Sequence, residues 1–318
     1  MVFLGGNMNP ILVSEQQIKL LFKIAMTEDV IDFVKDNNLV YSKCKYNGET
    51  RFISSPSEHL KIIQRWIVDN ILVQKSISDV AHAYVREKSI FTNARVHVGN
   101  KALLKMDISN FFDSIPITKV KEIFLSLGYN LAVSQVLADL CTNNGYVRQG
   151  FVTSPLISNI ILKDFDDKLI NTLKKSCYSK YEFKYTRYAD DITISSKYKV
   201  KSKLKEIEQE VMDILEVSGF SANLGKTRLI IGESPKKITG IIVKESSISV
   251  PNRFKKELLK ELYYCRKFGV TSHLIYTGNY GKLNYIEHLK GLAMFIKNTD
   301  QKFYESVISQ ISELDLNS

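Results

Sequence analysis

Two adjacent aspartates, Asp190 and Asp191, lie in the stretch FKYTRYADDITIS (183–195), which constrains the fold more than any other part of the chain. Apolar and polar residues alternate on both sides of the pair, so the pattern predicts two strands joined by an acidic turn. Neighbouring carboxylates repel each other, and folding alone gains little from them at a strand end. They are either a simple polar turn, in which aspartate is common, or part of a site that needs negative charge.

A third aspartate, Asp107, ends another strand-like stretch, KALLKMDIS (101–109). Hard cations such as Mg²⁺ prefer oxygen ligands. Two such ions about 4 Å apart can activate an attacking oxygen and neutralise a leaving one. Because carboxylates converging from neighbouring strands can hold both ions, we predict that Asp107, Asp190 and Asp191 lie together as metal ligands. Nucleotide phosphates would complete the coordination.

Helical periodicity covers most of the remaining chain. It predicts helices at 14–26, 58–72, 154–175, 203–219 and from 252 onward, and a hairpin within 45–56. This order indicates an α+β fold in which helices pack on one face of a sheet. We predict three parts, namely an N-terminal helical segment (1–44), a central domain (45–251) and a basic helical segment (252–318).

The balance of charge indicates a polyanionic partner. Lys and Arg total 44 against 34 Asp and Glu, which gives a net charge of +10. No apolar run approaches the roughly 18 residues that span a bilayer. No basic amphipathic helix stands out either, so nucleic acid is favoured over a membrane. The N-terminus does not have the pattern of a secretory signal, and either Met1 or Met8 could be the native start.

The cysteines and histidines favour neither a metal centre nor a disulfide framework. The four cysteines lie far apart without a C-x-x-C pair, and the five histidines show no metal-ligand spacing. We therefore expect buried, reduced thiols and a cytoplasmic location. The cysteines are Cys44, Cys141, Cys177 and Cys265.

Two basic stretches are candidates for contact with the polyanion. KYKVKSKLK (197–205) contains no acid and is equally consistent with a solvated face and with phosphate contact. RFKKELLKELYYCRK (253–267) has aromatic residues among its basic ones, which favours nucleic acid. Its candidate contact residues are Arg253, Lys255, Lys256 and Lys260.

Two further stretches carry residues suited to a nucleotide. In MDISNFFDSIP (106–116), Phe112 could lie against the sugar of an incoming nucleotide and exclude a 2′-hydroxyl. Core packing is the alternative for Phe111 and Phe112, and we expect one of the two in the core. In RQGFVTSP (148–155), Gln149 and Gly150 let the backbone approach a base pair.

Two basic side chains could act on the phosphates of that nucleotide. Lys226, in GFSANLGKTRL (219–229), could protonate a leaving pyrophosphate. Alone, a lysine at such a turn is more often only a surface residue. Arg51, in GETRFISSP (48–56), could clamp a triphosphate from a hairpin.

Together, these stretches resemble the palm and fingers motifs of reverse transcriptases in order and approximate spacing, namely MDISNFF, RQGFVTSP, YADD and NLGKT. A narrower resemblance is to retron reverse transcriptases, bacterial enzymes that copy part of their own structured RNA. NARVH (93–97) is similar to their N-A-x-x-H signature, and ITG (238–240) to their V-T-G element, with Ile238 for valine. RYADD and HLKGLAMFI (288–296) also look retron-like. The resemblance covers about residue 45 to the end.

The resemblance implies a right-hand polymerase with fingers, a palm built on an antiparallel sheet packed by helices, and a mainly helical thumb. It implies two Mg²⁺ ions on Asp107, Asp190 and Asp191, with Lys226 as a general acid. It implies nucleotide-binding roles for four residues, Arg51, Phe112 as the steric gate, Gln149 and Gly150. It further implies that Asn93, Ala94 and His97 form a retron-specific region and that Ile238, Thr239 and Gly240 lie near cognate RNA.

The implied activity is synthesis of DNA from dNTPs on a cognate noncoding RNA. Synthesis would be primed by a guanosine 2′-hydroxyl of that RNA and would give a branched RNA–DNA molecule (msDNA). Such enzymes generally serve in anti-phage defence with a separate effector protein, and we expect the effector and any ribonuclease H on other chains.

Two alternatives remain open at this point. A group II intron-like or other bacterial reverse transcriptase would usually carry a further domain, and only 252–318 follow the predicted boundary. A non-catalytic RNA-binding scaffold would have no use for the three aspartates, since carboxylates beside a phosphate backbone weaken binding unless metal ions neutralise them.

Overall fold

The structure is a computed structural model that describes residues 10–44, 50–233, 235–280 and 284–316. The side chains of 43, 44, 50, 51, 315 and 316 are not described. The helices in these residues are α1 (Glu15–Phe22), α2 (Val30–Asp36), α3 (Glu58–Asn70), α4 (Ile90–Arg95), α5 (Ile117–Ser126), α6 (Leu131–Leu140), α7 (Ser154–Ile161), α8 (Lys163–Leu173), α9 (Ser176–Ser179), α10 (Lys201–Val217), α11 (Asn252–Phe268), α12 (Val270–Tyr276), α13 (Tyr285–Lys297) and α14 (Gln301–Leu316). The strands are β1 (Asn38–Cys44), β2 (Thr50–Pro56), β3 (Ala102–Asp107), β4 (Lys184–Tyr188), β5 (Asp191–Ser196), β6 (Arg228–Ile231), β7 (Lys236–Ile238), β8 (Ile241–Val243) and β9 (Ile248–Ser249).

A four-stranded antiparallel sheet in the order β4-β5-β3-β6 lies at the centre of the fold. Leu104 and Met106 of β3 belong to a large hydrophobic cluster that also contains the buried stripes of α8 and α10. Successive strand residues face opposite sides of a sheet, and Leu103 accordingly belongs to a second cluster. The predicted α+β class is confirmed, but the sheet is covered on part of its second face as well as on the first.

The second hydrophobic cluster joins the C-terminal helices to the sheet. It contains buried residues of α11, α13 and α14, with β7, β8 and β9, and it includes Phe91 and Ala94 of α4. Helix α11 begins at Asn252, directly after Pro251, where the sequence predicts a change from strand to helix. The cluster draws on residues from both sides of that point, and the division into three parts stays a prediction.

The N-terminal region is only partly helical. Helices α1 and α2 are followed by β1, which pairs with β2 from Asn38 opposite Pro56 to Cys44 opposite Thr50. The helical prediction for 1–44 is therefore wrong for Asn38–Cys44, where Leu39, Val40 and Tyr41 favour a strand. The predicted turn at Asn47-Gly48 lies outside the described residues.

Two smaller expectations also differ from the structure. The helix predicted over 154–175 is divided into α7 and α8, which meet at Leu162. Cys141 and Cys265 are buried as expected, but Cys177 is exposed because it lies on the short surface helix α9. The side chain of Cys44 is not described. Over the ranges given above, no helix combines the length and apolar character that crossing a membrane requires.

Candidate active site

The three aspartates lie at one edge of the central sheet. The antiparallel pairing of β3 with β5 ends with Asp107 opposite Asp191. The turn that joins β4 to β5 carries Asp190, whose carbonyl accepts a hydrogen bond from the Ile108 N–H at 3.0 Å. Residues directly opposite in an antiparallel pair point to the same face with Cβ atoms about 5 Å apart. The register therefore brings together residues that lie more than eighty positions apart in the sequence.

Burial and repulsion from neighbouring carboxylates disfavour the charged forms of Asp190 and Asp191. Asp107 is 7% exposed, and Asp190 and Asp191 are half-buried. Burial raises the pKa of both Asp190 and Asp191 above the ordinary aspartate value. The charge of Asp107 adds to the rise in both pKa values, and the Lys226 ammonium opposes it. A cation at this edge would relieve the repulsion.

Lys226 supplies the positive charge nearest to Asp107. Its Nζ atom lies 2.8 and 3.0 Å from the two carboxylate oxygens of Asp107. The loop that carries Lys226 is attached to the end of β3, because the Asn223 N–H donates to the Asp107 carbonyl at 2.7 Å and the Ser109 N–H to that of Ser221 at 2.8 Å. The structure thus places Lys226 at the predicted site, while its role as general acid stays a prediction.

The predicted metal ligands fit a divalent cation in their chemistry but are not assembled as a coordination group. Over the ranges that the structure describes, no cluster of three or more histidine, cysteine, aspartate or glutamate side chains is arranged to hold a metal ion. The Asp107 carboxylate is paired with Lys226. The donor set still consists of oxygen atoms that repel each other, which suits a hard cation.

The predicted nucleotide-binding residues differ in their burial and in how much of each the structure describes. Phe111 is 6% exposed and lies in the core, whereas Phe112 is half-buried, with the two ring centroids 5.0 Å apart. One of the pair is therefore in the core, as expected, and Phe112 is the one with an accessible face. Arg51 lies on β2, but its side chain is outside the described residues.

Gly150 makes its close approach to a strand of the protein. Its φ is +109°, and a Cβ atom built there would lie 1.9 Å from the Ser54 carbonyl oxygen. The Ser54 N–H donates to the Gln149 carbonyl at 2.9 Å. The structure therefore explains the glycine by contact with β2, where the sequence analysis explains it by approach to a base pair. Gln149 itself is exposed.

Three residues of the NARVH segment are buried, whereas Arg95 and Val96 are exposed. Asn93 and His97 are each 1% exposed and Ala94 is fully buried. The two ring nitrogens of His97 lie 2.6 Å from the Ser195 hydroxyl and 2.8 Å from the Thr186 hydroxyl. Burial lowers the pKa of His97 to about 3, so the ring is neutral. Asn93 and His97 therefore make internal contacts here, and their RNA-binding role stays a prediction.

The ITG element lines the same groove as Asp191. Thr239 and Gly240 form the turn between β7 and β8 with φ values of +44° and +90°. Asn93 donates from Nδ2 to the Thr239 hydroxyl at 3.3 Å, which connects the two retron-like motifs. The turn lines an open groove of about 610 Å³ together with Asp191 and several basic and aromatic side chains. These include Lys105, Tyr188, Arg228 and Lys237, none of which the sequence analysis identifies.

The basic stretches have different surroundings. On α11, Arg253, Lys256 and Lys260 are exposed, but Lys255 is half-buried and pairs with Asp300. In 197–205, three lysines pair with glutamates, Lys197 with Glu182, Lys199 with Glu233 and Lys203 with Glu206. These pairs favour the solvated-face interpretation of 197–205. The RNA-binding role of α11 stays a prediction.

A buried ion pair that was not predicted from the sequence lies next to the acidic turn, where Arg187 is near the end of β4. Arg187 and Asp166 are both fully buried, with Nη2 of Arg187 2.8 Å from Oδ2 of Asp166. A signal for the pair exists, because Asp166 lies on the apolar stripe of α8 beside Phe165 and Leu169. A charged residue at such a position requires a partner.

Comparison with known proteins agrees with this geometry. The family described as Reverse transcriptase (RNA-dependent DNA polymerase) matches residues 35–243. Retron Ec86 reverse transcriptase of Escherichia coli is 30% identical over 87% of this chain and 81% of its own. Retron Mx162 reverse transcriptase of Myxococcus xanthus is 28% identical over 85% of this chain and 59% of its own.

Among solved structures, the foamy viral protease-reverse transcriptase in complex with double-stranded DNA has a TM-score of 0.48 at 17% identity. That similarity covers 89% of this chain and 39% of the viral one. The family match extends through both strands that carry the aspartates and through the Lys226 loop. This family match also confirms the right-hand polymerase fold that the resemblance implies. The chain therefore belongs to the reverse transcriptases, which are RNA-directed DNA polymerases, and among them to the retron reverse transcriptases.

Proposed function

We propose that this chain copies its own cognate structured noncoding RNA into DNA, primed by a guanosine 2′-hydroxyl of that RNA. The product would be a branched RNA–DNA molecule, msDNA. The observation that carries the catalytic part is the register of β3 with β5, which sets Asp107 opposite Asp191 beside the turn that holds Asp190. The retron relatives and the motifs NARVH and ITG support the narrower choice of template.

The proposed site holds two Mg²⁺ ions on Asp107, Asp190 and Asp191. When bound, the ions would activate the attacking hydroxyl and neutralise the leaving pyrophosphate. The attacking hydroxyl would lose its proton to solvent and bond to the α-phosphorus, while the bond from that phosphorus to the bridging oxygen would break and release pyrophosphate. Lys226 lies 2.8 Å from Asp107, and its ammonium would give a proton to the leaving pyrophosphate.

Other side chains would hold the substrates. The half-exposed ring of Phe112 would lie against the sugar and discriminate against ribonucleotides. The exposed Gln149, and Arg51 on β2, would contact the incoming nucleotide. Lys105, Arg228 and Lys237 line the groove beside Asp191, and their charges suit the phosphates of a nucleic-acid strand. On α11, Arg253, Lys256 and Lys260 would contact the RNA.

Expression of the chain with its native flanking DNA tests the proposal. We expect DNA that stays joined to RNA on a denaturing gel and shortens after ribonuclease treatment. Asp190→Asn should abolish this product because it removes a charged ligand. Asp213→Asn is the matched control, since Asp213 is exposed on α10 and belongs to none of the motifs. DNA from Asp190→Asn at the wild-type level would contradict the assignment of the aspartates, and DNA with a free 5′ end would contradict 2′-hydroxyl priming.

We further propose a role in anti-phage defence with a separate effector protein, in the cytoplasm. The resemblance to retron enzymes supports the defence role, and the scattered cysteines of the sequence support the location. Phage plating on cells that carry the chain and its neighbouring genes tests the role. Protection that persists in Asp190→Asn would show that DNA synthesis is not what protects the cell.

A further inference from the structure

The side chain of Arg187 donates hydrogen bonds to three groups around the turn that carries Asp190 and Asp191. Its Nε and Nη2 atoms donate to the two carboxylate oxygens of Asp166 at 2.9 and 2.8 Å. Its Nη1 atom donates to Oδ1 of Asn159 at 3.0 Å and to the carbonyl of Ala189 at 3.2 Å. The Tyr185 hydroxyl donates to Asp166 at 2.6 Å. A planar guanidinium can hold all of these acceptors at fixed relative positions.

The carbonyl that Arg187 contacts belongs to the strained residue of the turn. Ala189 has a φ of +56°, a left-handed conformation that the Cβ atom of alanine disfavours and that glycine adopts freely. Ala189 immediately precedes both aspartates, so its conformation sets the direction in which they leave β4. A donor fixed on the Ala189 carbonyl therefore acts on the orientation of the two carboxylates.

Arg187 is itself held from further directions. Its N–H donates to the Val80 carbonyl at 2.9 Å, and its carbonyl accepts from the His82 N–H at 2.8 Å. Asn159 donates from Nδ2 to the Ala83 carbonyl at 2.9 Å. Helices α7 and α8 thus meet at one side chain that is fully buried, and the segment 80–83 bonds to the backbone of Arg187 and to Asn159. Its position cannot change without moving these elements.

We propose that Arg187, fixed by Asp166 and Asn159, is a positioning residue that holds Ala189 in its left-handed conformation and so presents Asp190 and Asp191 for catalysis. This inference rests on the proposed role of the two aspartates. The alternative is that the buried pair serves only the stability of the core, in which case the conformation of residue 189 would not matter to the rate.

Rescue by glycine separates the two explanations. Arg187→Lys keeps a charge for Asp166 but loses the fork that reaches Asn159 and Ala189 together. We expect kcat for primer extension with dNTPs to fall by about 10- to 100-fold, a loss typical of misplaced catalytic groups, with a smaller change in the KM for dNTP. Adding Ala189→Gly should return most of the lost kcat, because glycine adopts the turn conformation without Arg187. Ala189→Gly alone is the reference for this recovery, and its kcat sets the upper limit expected for the double variant.

Controls distinguish a loss of position from a loss of fold. Leu169→Ala removes a fully buried side chain from α8, one turn after Asp166, and should lower Tm while kcat of the folded protein stays near wild type. If Arg187→Lys does not fold, Asn159→Ala and Asn159→Ala/Ala189→Gly provide the same comparison. Failure of glycine to restore kcat in a folded double variant, or a wild-type kcat in Arg187→Lys, would overturn the inference.

The Asp190→Asn variant belongs in the same assay. If it extends primers at the wild-type rate, the proposed role of the aspartates fails, whatever the Arg187 variants do. If it is inactive and the double variant is not rescued, only the positioning role fails.

Discussion

Replacing Gly150 with alanine tests the close contact between Gly150 and Ser54 of strand β2. The new Cβ atom would lie 1.9 Å from the Ser54 carbonyl oxygen, whereas real Cβ contacts are not shorter than 3.0 Å. The neighbouring atom is backbone, so β2 has to retreat by about 1 Å. The hydrogen bond from the Ser54 N–H to the Gln149 carbonyl, now 2.9 Å, would be lost or weakened.

The free energy of unfolding measures this displacement if conformational strain is subtracted. Alanine at a positive φ costs about 1–3 kcal/mol, and forcing extra atoms into a packed site costs about another 1–3 kcal/mol. Gly128→Ala is the matched control, because Gly128 has a φ of +93° and nothing within 4 Å of an added Cβ atom. We therefore expect Gly150→Ala to be less stable than Gly128→Ala in denaturant titrations by about 1–3 kcal/mol.

Activity gives a second measurement of the same displacement. Arg51 lies three residues before Ser54 on β2, so a shift of β2 should move the group proposed to hold the triphosphate. We expect the KM for dNTP to rise by about tenfold in Gly150→Ala and to change little in Gly128→Ala. Equal unfolding free energies and equal KM values for the two variants would refute the reasoning.

Three further predictions concern separate parts of the molecule. Phe112→Ala should relax discrimination against ribonucleotides in primer extension, and unaltered selectivity would place the steric gate elsewhere. Lys256→Glu with Lys260→Glu should weaken RNA binding and reduce its dependence on salt concentration because fewer counterions are released. Lys255 is left unchanged because Lys255→Glu would also break its pair with Asp300. An unchanged affinity and salt slope would remove α11 from the interface. Burial raises the pKa of Asp139 to about 6, above its unfolded value, so its charge destabilises the fold as pH rises through that window. Asp139→Asn should therefore raise the free energy of unfolding about twice as much at pH 8 as at pH 5, and an equal effect at both would contradict this pKa.

The elements around the aspartates could be predicted because their signals are local. The alternation in 183–195 is enough to predict β4, β5 and the turn between them, which the structure contains. The pairing of Asp107 with Asp191 follows from a compact strand that ends in an acid and from the resemblance to a known family. The helix boundary at Asn252 follows from a change of periodicity at Pro251.

Burial of short motifs and long-range pairs could not be predicted in the same way. The sequence NARVH does not say which way its side chains point, and the partners of His97 come from β4 and β5, about ninety residues away. A glycine is needed at position 150 because its backbone lies against the Ser54 carbonyl. Nothing in the sequence connects Gly150 with Ser54. The pairing of Lys226 with Asp107 likewise depends on tertiary structure.

Strand β3 has consequences beyond its place in the sheet. Leu104 and Met106 belong to one hydrophobic cluster and Leu103 to the other, so a slip by a single residue would exchange the sides of all three. Such a slip would also take Asp107 away from Asp191. These three buried apolar side chains of β3, which are not proposed to contact substrate, thus select the strand register on which nucleotide chemistry depends. Substitutions at these positions can therefore impair synthesis without changing the aspartates.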